Sequence, residues 1–252
     1  MNLVICMAGR NTRFHDVGID IPKYLLPLAG KPVIEGIIGN LLNTKSFSNV
    51  YPVAHQRDSF FQDELKVSIS NLGINPENLL YIGETKGQAD TANEALSLLD
   101  LDPSEPVAFH NADTILLNRN LEAFRKALQS GRGAIDVFKA DSPNYSYVRI
   151  LNDEIVEIVE KSVISEWATS GLYGFSSARI YQEYFSRFME LNRAQPGREL
   201  YISDVINLMI ADKLPFQPFG IELEDSQTTL VMGSPEEYRR LQTSPAFSNY
   251  AS

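Results

Sequence analysis

Leu3-Val4-Ile5-Cys6-Met7 is a continuous apolar run that stops at Ala8-Gly9, the pattern of a strand covered on both faces that leaves the interior at a turn. Val33, Ile34, Ile37, Ile38, Leu41 and Leu42 recur at helical spacing, so residues 32 to 43 are expected to form a helix opened by Pro32. The same reading gives a strand at 49 to 55, an amphipathic helix near 57 to 72 and a strand at 79 to 82. A helix near 86 to 99, a strand from Pro106 to His110 and a helix near 120 to 130 follow. Repeated strand and helix predicts an α/β chain with three layers and a mostly parallel central sheet.

Past that point the texture changes. "AIDVFKADSPNYSYVRILNDEIVEIVEKS" holds several extended segments, and "NDE" at 152 to 154 reads as a hairpin turn between "YSYVRI" and "IVEIVE". A small, half-buried antiparallel portion beside the main sheet is expected there, not a second domain. Helices return at 177 to 193, 201 to 212 and 234 to 243. Repeats, low-complexity tracts and Pro/Gly-rich linkers are absent, which leaves residues 1 to 252 as a single domain.

Composition narrows the chemistry. The 252 residues are 44% hydrophobic, enough for a large core, and carry 22 Lys and Arg against 32 Asp and Glu, a formal charge of -10. Such a surface repels nucleic acid and anionic membrane, whereas an anionic small molecule needs only a few basic residues gathered locally. The lone cysteine, Cys6, excludes an internal disulfide and a multi-thiolate metal site, and its place in the first apolar run reads as buried and inert. No segment reaches 18 apolar residues and no basic region precedes an apolar stretch at the N-terminus, so a cytoplasmic location is expected.

Two phosphate-binding motifs fail. Gly9 is followed by Arg10 and Asn11 with no third glycine, so the dinucleotide fingerprint is missing. Around Gly30-Lys31, Leu25 stands at the first glycine of a P-loop and Pro32 at its hydroxyl position. What remains is a loop with Arg10, Thr12 and Arg13, then Lys23 and Lys31, a set of forks and ammonium groups suited to the oxygens of a polyphosphate. In "FHNADTI" Asp113 lies just beyond an apolar strand, where a carboxylate can hold a hard divalent cation or merely cap a turn; His110 has no partner at a ligand spacing and reads as structural. Lys161 closes "IVEK", Gly171 interrupts an apolar segment where a ligand could lie against backbone, and Gly87-Gln88 starts a helix from which an amide could read a base edge.

Together "MAGRNTRF", "IPKYLLPLAGKP", "ETKGQADTA", "NAD", "VEK", "SGLYGF" and "MGSPEEY" resemble the sugar-phosphate nucleotidyltransferases, the sugar-nucleotide pyrophosphorylases, over residues 2 to 240. The resemblance implies a Rossmann-like nucleotidyltransferase fold. It implies that Ala8, Gly9, Thr12, Arg13 and Gln88 line the nucleoside triphosphate, with Arg13 and Lys23 on the phosphates and Gln88 facing the base. Asp113 would hold Mg2+, Lys161 would bind the phosphate of the acceptor, and Gly171 would approach the acceptor. Arg13, Lys23 and Lys161 are thus the expected catalytic side chains.

Three positions depart from the family pattern. Asn11 stands at the usual second glycine, though asparagine tolerates positive φ, and Ala112 replaces a glycine before Asp113. Many members carry a second metal carboxylate two residues before the glycine of their G-T-P-E motif; here that residue is Val231, leaving Asp225 and Asp204 as candidates.

The implied reaction moves a nucleoside monophosphate from a nucleoside triphosphate to a sugar 1-phosphate and releases pyrophosphate. Alternatives are a cytidylyltransferase for a non-sugar phosphate such as phosphocholine or a polyol phosphate, and a binding module without turnover. The acceptor pocket is expected within roughly 140 to 225, including Tyr145, Tyr147, Glu166, Trp167 and Tyr201. The apolar segment near 214 to 221 is a candidate subunit contact in a homo-oligomer. The chain length leaves no room for the left-handed helix domain that some relatives append, and surface-polysaccharide precursor synthesis is the setting the resemblance implies.

Overall fold

The computed structural model describes residues 1–42, 45–192, 197–223, 228–244, 247 and 250. Its first apolar run is strand β1 (Asn2–Met7), followed by the short helix α1 (Thr12–His15) and a two-residue pair, β2 (Pro27–Leu28) with β3 (Lys31–Pro32). Then come α2 (Val33–Leu42), β4 (Asn49–His55), α3 (Gln62–Asn71), β5 (Leu80–Ile82), α4 (Gln88–Leu98) and β6 (Val107–Asn111). The short strand β7 (Thr114–Leu116) and helix α5 (Leu121–Gln129) complete the first half. The second half holds β8 (Gly133–Lys139), β9 (Tyr147–Leu151), β10 (Glu154–Val159), β11 (Trp167–Phe175), α6 (Ala178–Leu191), α7 (Ile202–Ala211), β12 (Phe216–Phe219), β13 (Thr229–Val231) and α8 (Pro235–Gln242). The helix expected near 57 to 72 begins as a 3-10 segment, Gln56–Phe61, before α3.

Burial on both faces makes β1 the middle of a nine-stranded sheet, in which it pairs in parallel with β4 on one side and β6 on the other. Its side chains alternate between two cores, as strand geometry requires. Val4 faces a layer built from α4, α6 and α7, while Leu3, Ile5 and Met7 face α2, α3 and α5. The fold is therefore a three-layer α/β sandwich with a mostly parallel sheet, in which only β10 and β11 run against the other strands.

The antiparallel part is integrated more deeply than its half-buried sequence suggests. Strand β11, buried from Ala168 to Phe175, pairs with β6 in the sheet body and also with β8 and β9. The hairpin at Asn152-Asp153 forms as expected, with φ of 51° and 62°, the left-handed pair of a type I′ turn. The apolar segment near 214 to 221, read as a candidate subunit contact, finds its partner inside the chain: β12 pairs with β8 and buries Phe216.

A third, smaller core closes one end. Strands β7 and β13 form a separate two-stranded ladder, and Ile115, Leu230 and Met232 pack with Phe14, Ile37 and Tyr238. The buried Arg119 stitches this ladder to the main sheet. Its Nε donates to Asp136 Oδ1 on β8 at 2.7 Å, and Nη1 donates to the Leu117 carbonyl at 3.0 Å and to Thr228 Oγ1 at 3.1 Å. With side-chain exposures of 3% and 1%, the pair is dry, so removing one partner strands the other. Arg119→Met is expected to cost about 3–5 kcal/mol in urea unfolding, and adding Asp136→Asn should recover part of that loss.

Candidate active site

The carboxyl ends of β1 and β6 open onto a cleft of about 960 Å³, at the large end of the ~300–1,000 Å³ range of ligand sites. Six basic side chains and five carboxylates line it, against 22 and 32 in the whole chain, so positive charge is concentrated here. Ala8, Gly9, Thr12, Arg13, Lys23, Gln88, Asp113 and Lys161 all border this one cleft. Lys31 lies outside it, exposed on β3.

The loop after β1 takes its shape from Asn11, which sits at φ 56°, ψ 20° as N-cap of α1 and donates through Nδ2 to the Ile21 carbonyl at 3.3 Å. Asparagine supplies the left-handed residue that glycine supplies elsewhere. A Cβ at Gly9 would meet nothing within 4 Å, so the backbone there faces open space, while Arg57 ties the Gly9 carbonyl from behind. Arg13 projects from α1, and among the described residues no carboxylate pairs with it.

Lys23 reaches across to Asp113, with Nζ 2.5 Å from Oδ2. Burial pulls the Asp113 carboxyl upward, but the Lys23 ammonium, aided by the Thr114 hydroxyl, outweighs it and holds the group below the usual carboxylate range. His110 itself is fully buried, bonds the Thr114 carbonyl through Nε2 at 2.8 Å and is kept neutral by desolvation, which matches its structural reading. The Cys6 thiol, at the cleft floor, is pushed up to about 12 by burial and stays protonated.

Gln88 opens α4 and donates to Asn111 Oδ1, and Asn111 in turn fills the space in front of Gly171. A Cβ on Gly171, which sits at φ 87°, would lie 2.2 Å from Asn111 Nδ2. Gly171 thus lies behind Asn111 within the β11 bulge, and its glycine makes room for a side chain that sequence reading passed over. The "HNAD" stretch holds the signal: Asn111 is the last residue of β6, immediately before the turn that carries Asp113.

At the far end Lys161, with φ 52°, stands 4.5 Å above the Tyr201 ring and 3.8 Å from Glu199. Tyr145, Glu160 and Arg198 line the same end. Of the five side chains expected in the acceptor pocket, Tyr145 and Tyr201 are there and three are not. Tyr147 is buried, with its hydroxyl on the Ser142 carbonyl, and Glu166 pairs with Lys139, whose ammonium lies over Trp167. None of these three borders the cleft. Of the spare carboxylates, Asp204 caps α7 and pairs with Arg198 at 2.6 Å, and Asp225 lies outside the described residues.

A family model described as nucleotidyl transferase matches residues 3–219. The bifunctional protein GlmU of Methanococcus maripaludis is 25% identical over 233 residues, covering 89% of this chain and 50% of that protein. The chain spans about half the length of the curated relatives it matches. A nucleoside-diphosphate-sugar pyrophosphorylase from Vibrio cholerae superposes with a TM-score of 0.81 at 23% identity, covering 96% of this chain and 100% of the other. The inositol-1-phosphate CTP transferase from T. maritima follows at 0.68 and 13%, covering 99% and 95%. At these identities the two solved structures speak to the fold.

Because its folded pKa is depressed, Asp113 contributes stability that is complete above the unfolded value of ~3.9 and is lost as pH falls through the lower folded value. The unfolding free energy of wild type minus that of Asp113→Asn should therefore hold steady above about pH 5 and shrink below about pH 4. Urea titrations between pH 3 and 6 read this directly, and a difference independent of pH would show that Lys23 and Asp113 are uncoupled.

Proposed function

This chain belongs to the nucleotidyl transferase family, and we propose that it transfers a nucleoside monophosphate from a nucleoside triphosphate to a sugar 1-phosphate. The observation that carries this reading is the meeting, in one cleft, of the Arg13 loop, Lys23, Asp113 and Gln88 at one end with Lys161 at the other. Cations at both ends suit two anions that must be held together against their own repulsion.

In the proposed reaction an oxygen of the acceptor phosphate bonds to the α-phosphorus while the bond from that phosphorus to the bridging oxygen breaks, and pyrophosphate leaves with the electron pair. The attacking oxygen is already anionic, so no general base is required. Arg13 and Lys23 bind the triphosphate and stabilise charge on its equatorial oxygens, Lys161 holds the acceptor phosphate, and Gln88 contacts the base. Ala8, Gly9 and Thr12 border the nucleotide, with open space at Gly9 for close approach.

Asp113 would hold a magnesium ion, and the donor chemistry fits: a carboxylate beside a polyphosphate is how Mg2+ is commonly held. When bound, the ion would supply electrostatic shielding of the phosphates. Lys23, whose ammonium neutralises Asp113, would turn to the phosphates in that state. No described helix is long and apolar enough to cross a membrane, and we place the reaction in the cytoplasm.

Pyrophosphate release from a matrix of nucleoside triphosphates and phosphorylated acceptors, with Mg2+ and with chelator, tests the reading. Release that requires one nucleotide, one sugar 1-phosphate and Mg2+ is the expected outcome. Arg13→Met should lower kcat/KM by about 10²-fold or more, and Lys161→Met should act chiefly on the acceptor KM. Release only with a non-sugar phosphate would move the acceptor class, and binding without release would overturn the catalytic reading.

A further inference from the structure

Val231, at the position where the resemblance implies a second metal carboxylate, borders the cleft with no donor to offer. A different carboxylate arrives from another element. Glu237, in the first turn of α8, lines the cleft and faces Asp113 across Gly233. A Cβ built on Gly233 would lie 3.2 Å from Asp113 Oδ2 and 3.5 Å from Glu237 Oε2.

Gly233 is not among the glycines with positive φ, so its backbone does not call for glycine. What the missing side chain leaves is a small opening between two carboxylates, at the place where Asp113 already draws a cation, the Lys23 ammonium. The donors are hard oxygens only, the set that suits Mg2+ or Mn2+ and not a soft metal.

Helix capping does not account for Glu237. The Glu237 amide donates to Ser234 Oγ at 3.2 Å, but the carboxylate does not return to the Ser234 amide as a capping box would. Instead Oε2 accepts from Ser234 Oγ at 3.0 Å and Oε1 accepts from the Tyr145 hydroxyl at 3.0 Å, on the acceptor side of the cleft. An ionised carboxylate has about four acceptor positions, so each oxygen keeps capacity for a cation. The two neutral hydroxyls orient it without neutralising it.

We propose that Glu237 is the second metal-binding carboxylate of this chain, joining Asp113 across Gly233 in place of the ligand lost at Val231. The inference rests on the nucleotidyltransferase reading for its metal, but its test does not depend on turnover.

The full-length protein is titrated with Mn2+ in the presence of pyrophosphate, and free Mn2+ is followed by electron paramagnetic resonance. The wild type should bind one Mn2+. Glu237→Gln, which keeps the side-chain length and an acceptor for Tyr145, should weaken binding at least tenfold, as should Asp113→Asn. Glu237→Asp retains the charge and should fall between Glu237→Gln and wild type, and it carries the comparison if Glu237→Gln does not fold. Wild-type affinity in Glu237→Gln alongside loss in Asp113→Asn would overturn the proposal, as would absence of Mn2+ binding by the wild type. Glu237-dependent Mn2+ binding without pyrophosphate release on any substrate pair would instead keep this site and overturn the catalytic reading.

Discussion

The parallel pairing of β1 with β6 is the constraint from which the rest of the cleft follows. Its register sets Cys6 beside Asn111, so two loops about a hundred residues apart in sequence leave the sheet at the same edge and in the same direction. One carries Arg13 and the other Asp113. Parallel strands cannot be joined by a tight turn, and the long crossovers that connect them return helices to both faces. The helices that make the cores are therefore the price of bringing the two loops together. Open sheets of this kind bind ligands at their carboxyl ends for that reason.

Electrostatics then decides what such an edge accepts. The chain is strongly acidic overall, yet its cleft holds slightly more basic than acidic groups. Four of those six cations are kept in place by carboxylates: Lys23 by Asp113, Arg10 by Glu84, Lys161 by Glu199 and Arg198 by Asp204. Exposed pairs such as Arg10 with Glu84 add little stability. They hold flexible side chains near where an anion arrives, and an anion competes for the cation. Lys23 with Asp113 is more buried, so its rearrangement needs a compensating charge, which in the proposed reaction a metal and a polyphosphate would supply together.

How far the sequence carries toward this picture depends on the range of the interaction involved. Local pattern was enough for β1, β4, α2 and the hairpin at Asn152-Asp153, because apolar spacing and turn chemistry act within a few residues. It was enough for Asn11 too, where a φ of 56° is a property of one residue. Strand order was harder, since the run around Gly171 reads equally well at an edge or in the body, and only pairing with β6 places it inside. Gly171, read as an approach point for ligand, owes its missing side chain to Asn111, a neighbour contributed by another strand. Tyr147 and Trp167 illustrate the same limit: an aromatic residue in the right region says nothing about its face until the register is fixed. Glu237 lay beyond reach altogether, because nothing in "SPEEY" reveals that α8 docks over the Asp113 turn.

That docking depends on a backbone contact at the edge of the cleft. The Asp113 carbonyl accepts from the Met232 amide at 2.8 Å, and β13 continues that contact along β7 through Val231, Leu230 and Thr229. The ladder is too short to stand alone. It is held by the small core around Ile115 and Met232 and by Arg119, whose guanidinium spans Leu117, Thr228 and Thr229 while anchored to Asp136 in the main sheet. A hydrophobic residue would fill the same volume at lower desolvation cost, but it would not fix the ladder at one register. Directed hydrogen bonds to four residues from one rigid fork do so. The buried ion pair thus belongs to the site as much as to the core: it sets where β7 and β13 end, and with them Asp113, Gly233 and the first turn of α8.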